Sequence, residues 1–179
     1  PWTGVWFVEA DLDGPAGPVV PAGAVEVNVD GRVLLGTVDP SGSAKFGQRS
    51  IVRVLGGGGG WAAAVEPKHF HNDAGVKLSA VVRATAAEVG EAATVAADAV
   101  LGVDYVRSGL LPASQVLGGV PWHVDDAGKT VVGPRVVVAS PEEAAVRVLE
   151  WDPSSDRATL TASAFVLPGW TIEDARFGA

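Results

Sequence analysis

Five consecutive glycines, Gly56 to Gly60, separate the apolar run Ile51-Val52-Arg53-Val54-Leu55 from Trp61, where an apolar pattern resumes. A β-branched run that stops at such a stretch and then restarts reads as two β elements and their connection. Glycine-rich loops also cradle phosphates, so the run bears on whether nucleotide chemistry is in play. A Walker loop needs G-x-x-x-x-G-K-[ST] at the start of a helix; here Trp61 follows Gly60, and no Lys-Ser or Lys-Thr pair follows. The dinucleotide pattern G-x-G-x-x-G/A is met loosely by Gly57, Gly59 and Ala62, but five glycines meet many spacings by accident. Pro67 leaves little room for the required helix, and no acidic residue lies between Asp73 and Glu88 to hold a ribose. The run is therefore expected to be a pliable strand-to-strand loop at an exposed rim or subunit contact, its residues free to take positive φ.

A length of 179 residues suits one domain, or one domain with an insertion. Hydrophobic residues make up 47% of the chain, enough for a sizeable core, yet no apolar stretch approaches the roughly 18 residues that span a bilayer. No membrane partner is expected. The first residues lack a basic region followed by an apolar one, so no secretory signal is expected, and Pro1 is compatible with a processed or trimmed start. The absence of cysteine removes disulfides, Cys-zinc sites and thiol nucleophiles together. A formal net charge of −8 opposes the counterion release on which binding to a phosphate backbone depends, so no specific nucleic-acid binding is expected.

The hydrophobic pattern divides the chain into a β half over residues 1–75, a helical insertion over 76–119 and a C-terminal β half over 120–179. In the first part, Val25, Val27 and Val29 alternate with Glu26, Asn28 and Asp30. Asp30-Gly31 then marks a tight hairpin turn, and Arg32 to Val38 returns. Further strands are expected at Ile51–Leu55 and Trp61–Val65. Leu78, Val81, Val82, Thr85 and Val89 then recur at helical spacing, with Gly90 ending or kinking that helix. A second helical segment is expected within Ala92–Leu101, and a short one at Pro112–Leu117 with proline in its first turn. The last part reads as strands at Trp122–Val124, Thr130–Val132, Val136–Ala139, Val146–Trp151 and Ala158–Ala162, with turns at Asp125–Gly128 and Asp152–Asp156. The fold class is mainly β with a helical insertion (α+β): a split β-barrel or sandwich of mostly antiparallel strands.

Candidate chemistry is sparse. His69 and His71 alternate with Phe70, which puts both imidazoles on one side of a strand, and His123 would be the third residue of a metal set. The competing reading is ordinary surface histidine beside the turn Asn72-Asp73-Ala74-Gly75, and on it no metal and no cofactor are expected. The pairs Asp11/Asp13, Asp125/Asp126 and Glu142/Glu143 sit beside turn markers and read as solvated turn residues rather than acid/base or calcium pairs. No serine lies in a G-x-S-x-G elbow, and no catalytic residue is expected. Six tryptophans suit core or subunit-interface positions better than sugar platforms. Trp2, Trp6, Trp61 and Trp170 are the interface candidates.

Several blocks together carry a family resemblance. They are Val52-Arg53-Val54-Leu55-Gly56-Gly57-Gly58-Gly59-Gly60-Trp61, His71-Asn72-Asp73-Ala74-Gly75-Val76, Ala87-Glu88-Val89-Gly90-Glu91 and Gly109-Leu110-Leu111-Pro112-Ala113-Ser114-Gln115-Val116-Leu117. With Trp122-His123-Val124-Asp125-Asp126-Ala127-Gly128, which is similar to a W-x-V-D-x-x-G hairpin, they resemble bacteriophage tail or baseplate hub proteins of the late-control-D-like kind. The resemblance runs from about Val52 to Gly133 and contains no catalytic residue. It implies a non-enzymatic structural component of the virion, assembled in the host cytoplasm. Such a component would be a ring-forming hub, trimeric in the usual case, that joins the tail tube to a spike or fibres. The alternative is a carbohydrate- or metal-binding β-sandwich module.

Overall fold

The structure is a computed structural model that describes residues 4–13, 20–134, 138–139, 146–152, 157–162 and 170–171. In chain order, β1 (Phe7–Asp13), β2 (Ala24–Val29), β3 (Arg32–Val38), β4 (Ala44–Phe46) and β5 (Arg49–Gly56) precede the glycine run. A single 3-10 turn, Gly60–Ala62, follows the run, then β6 (Ala64–Val65) and β7 (Lys68–His71). Next come helix α1 (Leu78–Glu88), β8 (Ala93–Val95), β9 (Asp104–Arg107) and β10 (Leu111–Pro112). A second 3-10 segment, Ala113–Leu117, leads to β11 (Trp122–Val124) and β12 (Thr130–Val132). The remaining strands are β13 (Val138–Ala139), β14 (Val146–Asp152), β15 (Arg157–Ala162) and β16 (Trp170–Thr171).

The fold is mainly β, with one α-helix among the described residues and a curled, half-barrel antiparallel sheet. That sheet runs β1-β5-β3-β2, with β4 also on β5. Its hairpin forms where Asp30-Gly31 predicts it: both residues take positive φ, 52° and 83°, and Asn28 Oδ1 accepts the Gly31 amide at 3.0 Å. Along β5 the even positions Ser50, Val52, Val54 and Gly56 are buried while their neighbours face outward, the period-2 signature of a one-sided core. Strand β5 pairs with β3 only through Gly36–Val38. Beyond that point the β11–β12 turn takes over the vacant edge, with Leu35 N–H donating to the Asp126 carbonyl at 2.8 Å and Arg32 ion-paired to Asp126. This turn curls the sheet toward the second half of the chain.

Among the described residues two hydrophobic cores result. One lies under the half-barrel and holds Trp6, Leu34, Val38, Val52, Val54 and Val124. The other packs α1 through Leu78, Val81, Val82 and Ala86 against Trp61, Val65, Ala113, Val116, Leu117 and Val132. Val5 and Trp122 touch both. The helix lacks a side-chain cap of its own; the Asp98 carboxylate serves instead, accepting Ser79 N–H at 2.8 Å and Ser79 Oγ–H at 2.7 Å. Buried Arg107 fastens α1 to the β7–β9 ribbon: it donates to Thr85 Oγ1, to the Glu66 carbonyl and to Glu88. Lys68 and Arg107 together hold the Glu88 carboxyl below its ordinary pKa.

The structure departs from the sequence reading in four places. Ala92–Leu101 holds no helix: Ala93–Val95 is β8, paired in parallel with β12. Alanine-rich composition favours a helix only weakly, and an available strand edge overrides it. Residues 76–119 therefore contain one α-helix, three short strands and, where the short helix is expected at Pro112–Leu117, the 3-10 segment Ala113–Leu117. The chain restarts after the glycines as a 3-10 turn, not a strand at Trp61. Asp11 and Asp13 lie in strand β1, not in a turn, and Asp11 is ion-paired with Arg49. Glu142, Glu143 and most of the turn expected at Asp152–Asp156 lie outside the described residues.

Trp61 anchors the helix-bearing core at 2% exposure, and its indole N–H donates to Thr130 Oγ1 at 2.7 Å. Trp61→Ala is expected to lower unfolding free energy by about 3–5 kcal/mol in urea denaturation. Thr130→Val, which leaves the indole N–H buried without its partner, should lower it by about 1–3 kcal/mol.

Candidate functional site

The glycine run is a close-packed joint rather than a pliable loop. Gly56 ends β5 with its amide donating to the Trp6 carbonyl at 2.9 Å, and a Cβ there would lie 2.5 Å from the Trp6 ring. Gly57 and Gly59 take left-handed φ of 77° and 74°, open to glycine without steric cost. The intervening amides turn to one side. Gly58 N–H donates to Glu91 Oε2 at 3.1 Å and Gly60 N–H to Glu91 Oε1 at 2.8 Å. Gly57 N–H reaches back to the Leu35 carbonyl at 3.3 Å, and Thr37 Oγ1 donates to the Gly57 carbonyl at 2.8 Å. Only Gly58 of the five is exposed.

The end of α1 delivers the carboxylate. Gly90 adopts a left-handed φ of 72°, and Glu91 N–H returns to the Ala86 carbonyl at 2.8 Å, the six-to-one bond of a Schellman stop. That turn reverses the chain and brings Glu91, 8% exposed, onto the glycine amides. The close approach forbids side chains on the other side. A Cβ on Gly60 would overlap the Val89 carbonyl, and one on Gly58 would lie 2.7 Å from the Gly90 carbonyl. The signal for this contact in the sequence is an acid, Glu91, one residue beyond the glycine helix stop at Gly90, and it lies more than thirty residues from the run it joins.

His69 and His71 share the outer face of the β7–β9 ribbon, as their alternation predicts. Both turn to the cross-strand carboxylate: His69 Nε2 and His71 Nδ1 each lie 2.8 Å from Asp104 Oδ1. His71 Nε2 is 3.2 Å from Asp73 Oδ1. A histidine engaged by carboxylates at both nitrogens is best matched by imidazolium, in which both are donors. The hydrogen bond and charge of Asp104 raise the His71 pKa, and the same contacts lower that of Asp104. His123 does not join them. It lies on β11 opposite Val131, in another sheet. Among the described residues no group of three or more His, Cys, Asp or Glu is placed to hold a metal ion. A shallow cleft of about 300 Å³ opens beside His71, lined by Phe70, Asn72, Val76, Lys77 and Ala80, at the small end of the size range of ligand pockets.

Of the remaining acidic pairs, Asp125 closes its own turn, accepting Lys129 N–H at 2.8 Å, and Asp126 pairs with Arg32. Trp6 and Trp61, candidates for interface anchors, are covered by this chain's own residues at 9% and 2% exposure. Trp2 and the side chain of Trp170 lie outside the described residues. Large exposed apolar side chains occur elsewhere: Val106, Leu110, Leu111, Phe7 and Phe46. Leu110 is 80% exposed and holds a left-handed φ of 59°, an uncommon conformation for leucine.

No protein-family profile matches the sequence, and no curated protein matches it either. Solved structures do. The tail protein from Neisseria meningitidis MC58 superposes with a TM-score of 0.50 at 14% identity, over 92% of this chain and 64% of its own. The 43 kDa tail protein of prophage MuSo2 from Shewanella oneidensis gives a TM-score of 0.49 at 16% identity, over 84% of this chain and 53% of its own. Both of these structural neighbours are tail proteins. At these identities the likeness is one of fold, and the chain spans less than two thirds of the length of either protein. Among the described residues no helix is long and apolar enough to cross a membrane.

Two measurements check the site. Gly59→Ala meets only Thr37 Cβ, at an ordinary 4.0 Å, but takes a left-handed φ and should lose about 1–2 kcal/mol, whereas Gly60→Ala is forced against backbone and should lose about 1–3 kcal/mol with altered shifts at Val89 and Gly90. For the ribbon, the raised pKa of His71 means its contribution to stability is complete below the ordinary imidazole value near 6.5 and fades as pH rises through the folded value above it. The lowered pKa of Asp104 acts oppositely: its contribution is present above about 3.8 and fades as pH falls through the folded value below that. An NMR titration should place His71 above about 6.5 in the native protein, and Asp104→Asn should return it toward that value.

Proposed function

We propose that this chain is a structural component of a phage tail, a hub domain of the tail tip or baseplate that forms a ring between the tail tube and a spike or fibres. The observation that carries the reading is the fold shared with a tail protein over nearly the whole of this chain. The half-barrel sheet adds support: among the described residues, β1 and β2 are its outer strands, and outer strands are where neighbouring copies or tail proteins can add. Residues 76–119 would then be an insertion between the two β halves, 1–75 and 120–179. The reading makes the protein non-enzymatic and places it in the virion, in a homo-oligomer, with a trimer the expected ring.

The contact surface for such a ring shifts from the buried tryptophans to exposed apolar side chains. Val106 and Leu110, at 65% and 80% exposure, offer that surface near the β7–β9 ribbon. The net charge of −8 suits a lumen wall that DNA passes without adhering.

Light scattering on a size-exclusion column, together with electron microscopy of tails reconstituted with neighbouring tail proteins, tests the role. A closed ring, or incorporation at one end of the tail, is the expected result. Val106→Asp and Leu110→Asp together should cut assembly at least tenfold while leaving the melting temperature of the isolated chain within about 2 °C, as suits exposed positions. A chain that stays monomeric, never joins tails and gains melting temperature with sugars or divalent metal would instead be a binding module.

A further inference from the structure

We propose that residues 56–60 are an oxyanion-binding site whose ligand is the chain's own Glu91 carboxylate, and that removing this side chain opens a receptor for small carboxylates and phosphate. The proposal stands on the geometry of the joint and is independent of the assembly role. Each carboxylate oxygen of Glu91 takes one amide, Oε2 from Gly58 and Oε1 from Gly60. The left-handed glycines at 57 and 59 alternate with these two donors, and the Gly58 and Gly60 amides converge on one carboxylate. Backbone nests of this kind bind phosphates and other anions in unrelated proteins.

The site differs from a nucleotide loop in where its anion comes from. A phosphate loop brings a lysine to a foreign ligand; here no lysine follows the glycines, and the Schellman stop at Gly90 supplies an anion from within. Glu91 is 8% exposed, so its carboxylate occupies the concavity against solvent. Truncation to alanine leaves both amides in place and removes only their acceptor. The space vacated is that of a carboxylate with its short stem, which suits formate or acetate. Phosphate offers the same oxygens in a larger group and should bind less readily there.

The experiment uses the full chain with Glu91→Ala and formate as probe. The variant is expected to melt roughly 5–10 °C below the native protein, as loss of two charge-assisted hydrogen bonds implies for a chain of this size. Sodium formate should then restore at least half of that loss, saturably, where sodium chloride at equal ionic strength does not, and should leave the native protein unchanged. Parallel titrations with acetate and inorganic phosphate rank the ligand class. Amide exchange by NMR gives a second readout. Gly58 and Gly60 should exchange slowly in the native protein, fast in the variant and slowly again with formate. If Glu91→Ala does not fold, Glu91→Gln keeps the shape but offers one acceptor oxygen, so one of the two amides should lose protection. The proposal is overturned if Glu91→Ala melts like the native protein, if formate acts no better than chloride, or if both amides stay protected in Glu91→Gln.

Discussion

One carboxylate ties the two cores of this fold together at the glycine run. Glu91 accepts the amides of Gly58 and Gly60, and those glycines connect a strand of the half-barrel core to Trp61, the anchor of the helix-bearing core. Without an acceptor, partly buried amides would be costly, because an unmade hydrogen bond away from water loses more than a made one gains. The acceptor arrives because α1 stops at Gly90 with a left-handed turn. A helix end and a strand end are thus fixed by the same contact, and the glycines permit it by leaving room for the Val89 and Gly90 carbonyls. The absence of side chains in the run serves close packing as much as backbone freedom.

The same contact shows what a glycine-rich stretch can do without a phosphate-loop motif. Two amides of the run converge on one carboxylate, as backbone N–H groups do on anions in nests. What the motif does not encode is who supplies the anion. The His69–His71 pair behaves similarly. The alternation rule placed both rings on one face, but their partner, Asp104, comes from a strand more than thirty residues later. With that carboxylate between them the imidazoles form a hydrogen-bonded surface cluster, and His123 lies in a different sheet.

Legibility followed the distance between partners. The β2–β3 hairpin, the stop at Gly90 and the Asp125–Gly128 turn are each determined within a few residues, and each was readable. Strands β8, β9 and β10 were not, because their partners are β12, β7 and β6. A three-residue strand has no periodicity of its own. Ala93-Thr94-Val95 becomes a strand because β12 presents an edge beside it, which outweighs the helix preference of its neighbourhood. The tryptophans show the same limit: composition marks Trp6 and Trp61 as burying large areas, but whether that area is covered by the same chain or by another copy depends on tertiary packing.

The sequence by itself determined the mainly β class, the one strong helix and its end, the tight turns, and the exclusion of thiol and Walker-type chemistry. These depend on periodicity, on glycine and proline geometry, and on residues being present or absent, all of which act locally. Only the tertiary structure decided that the five glycines are a locked joint and that Glu91 is what locks them. It also decided that Trp6 and Trp61 belong to this chain's own cores. The physical reason is that an anion site, a core and a sheet edge are each completed by groups far apart in the chain, and nothing in local pattern records which distant group will arrive.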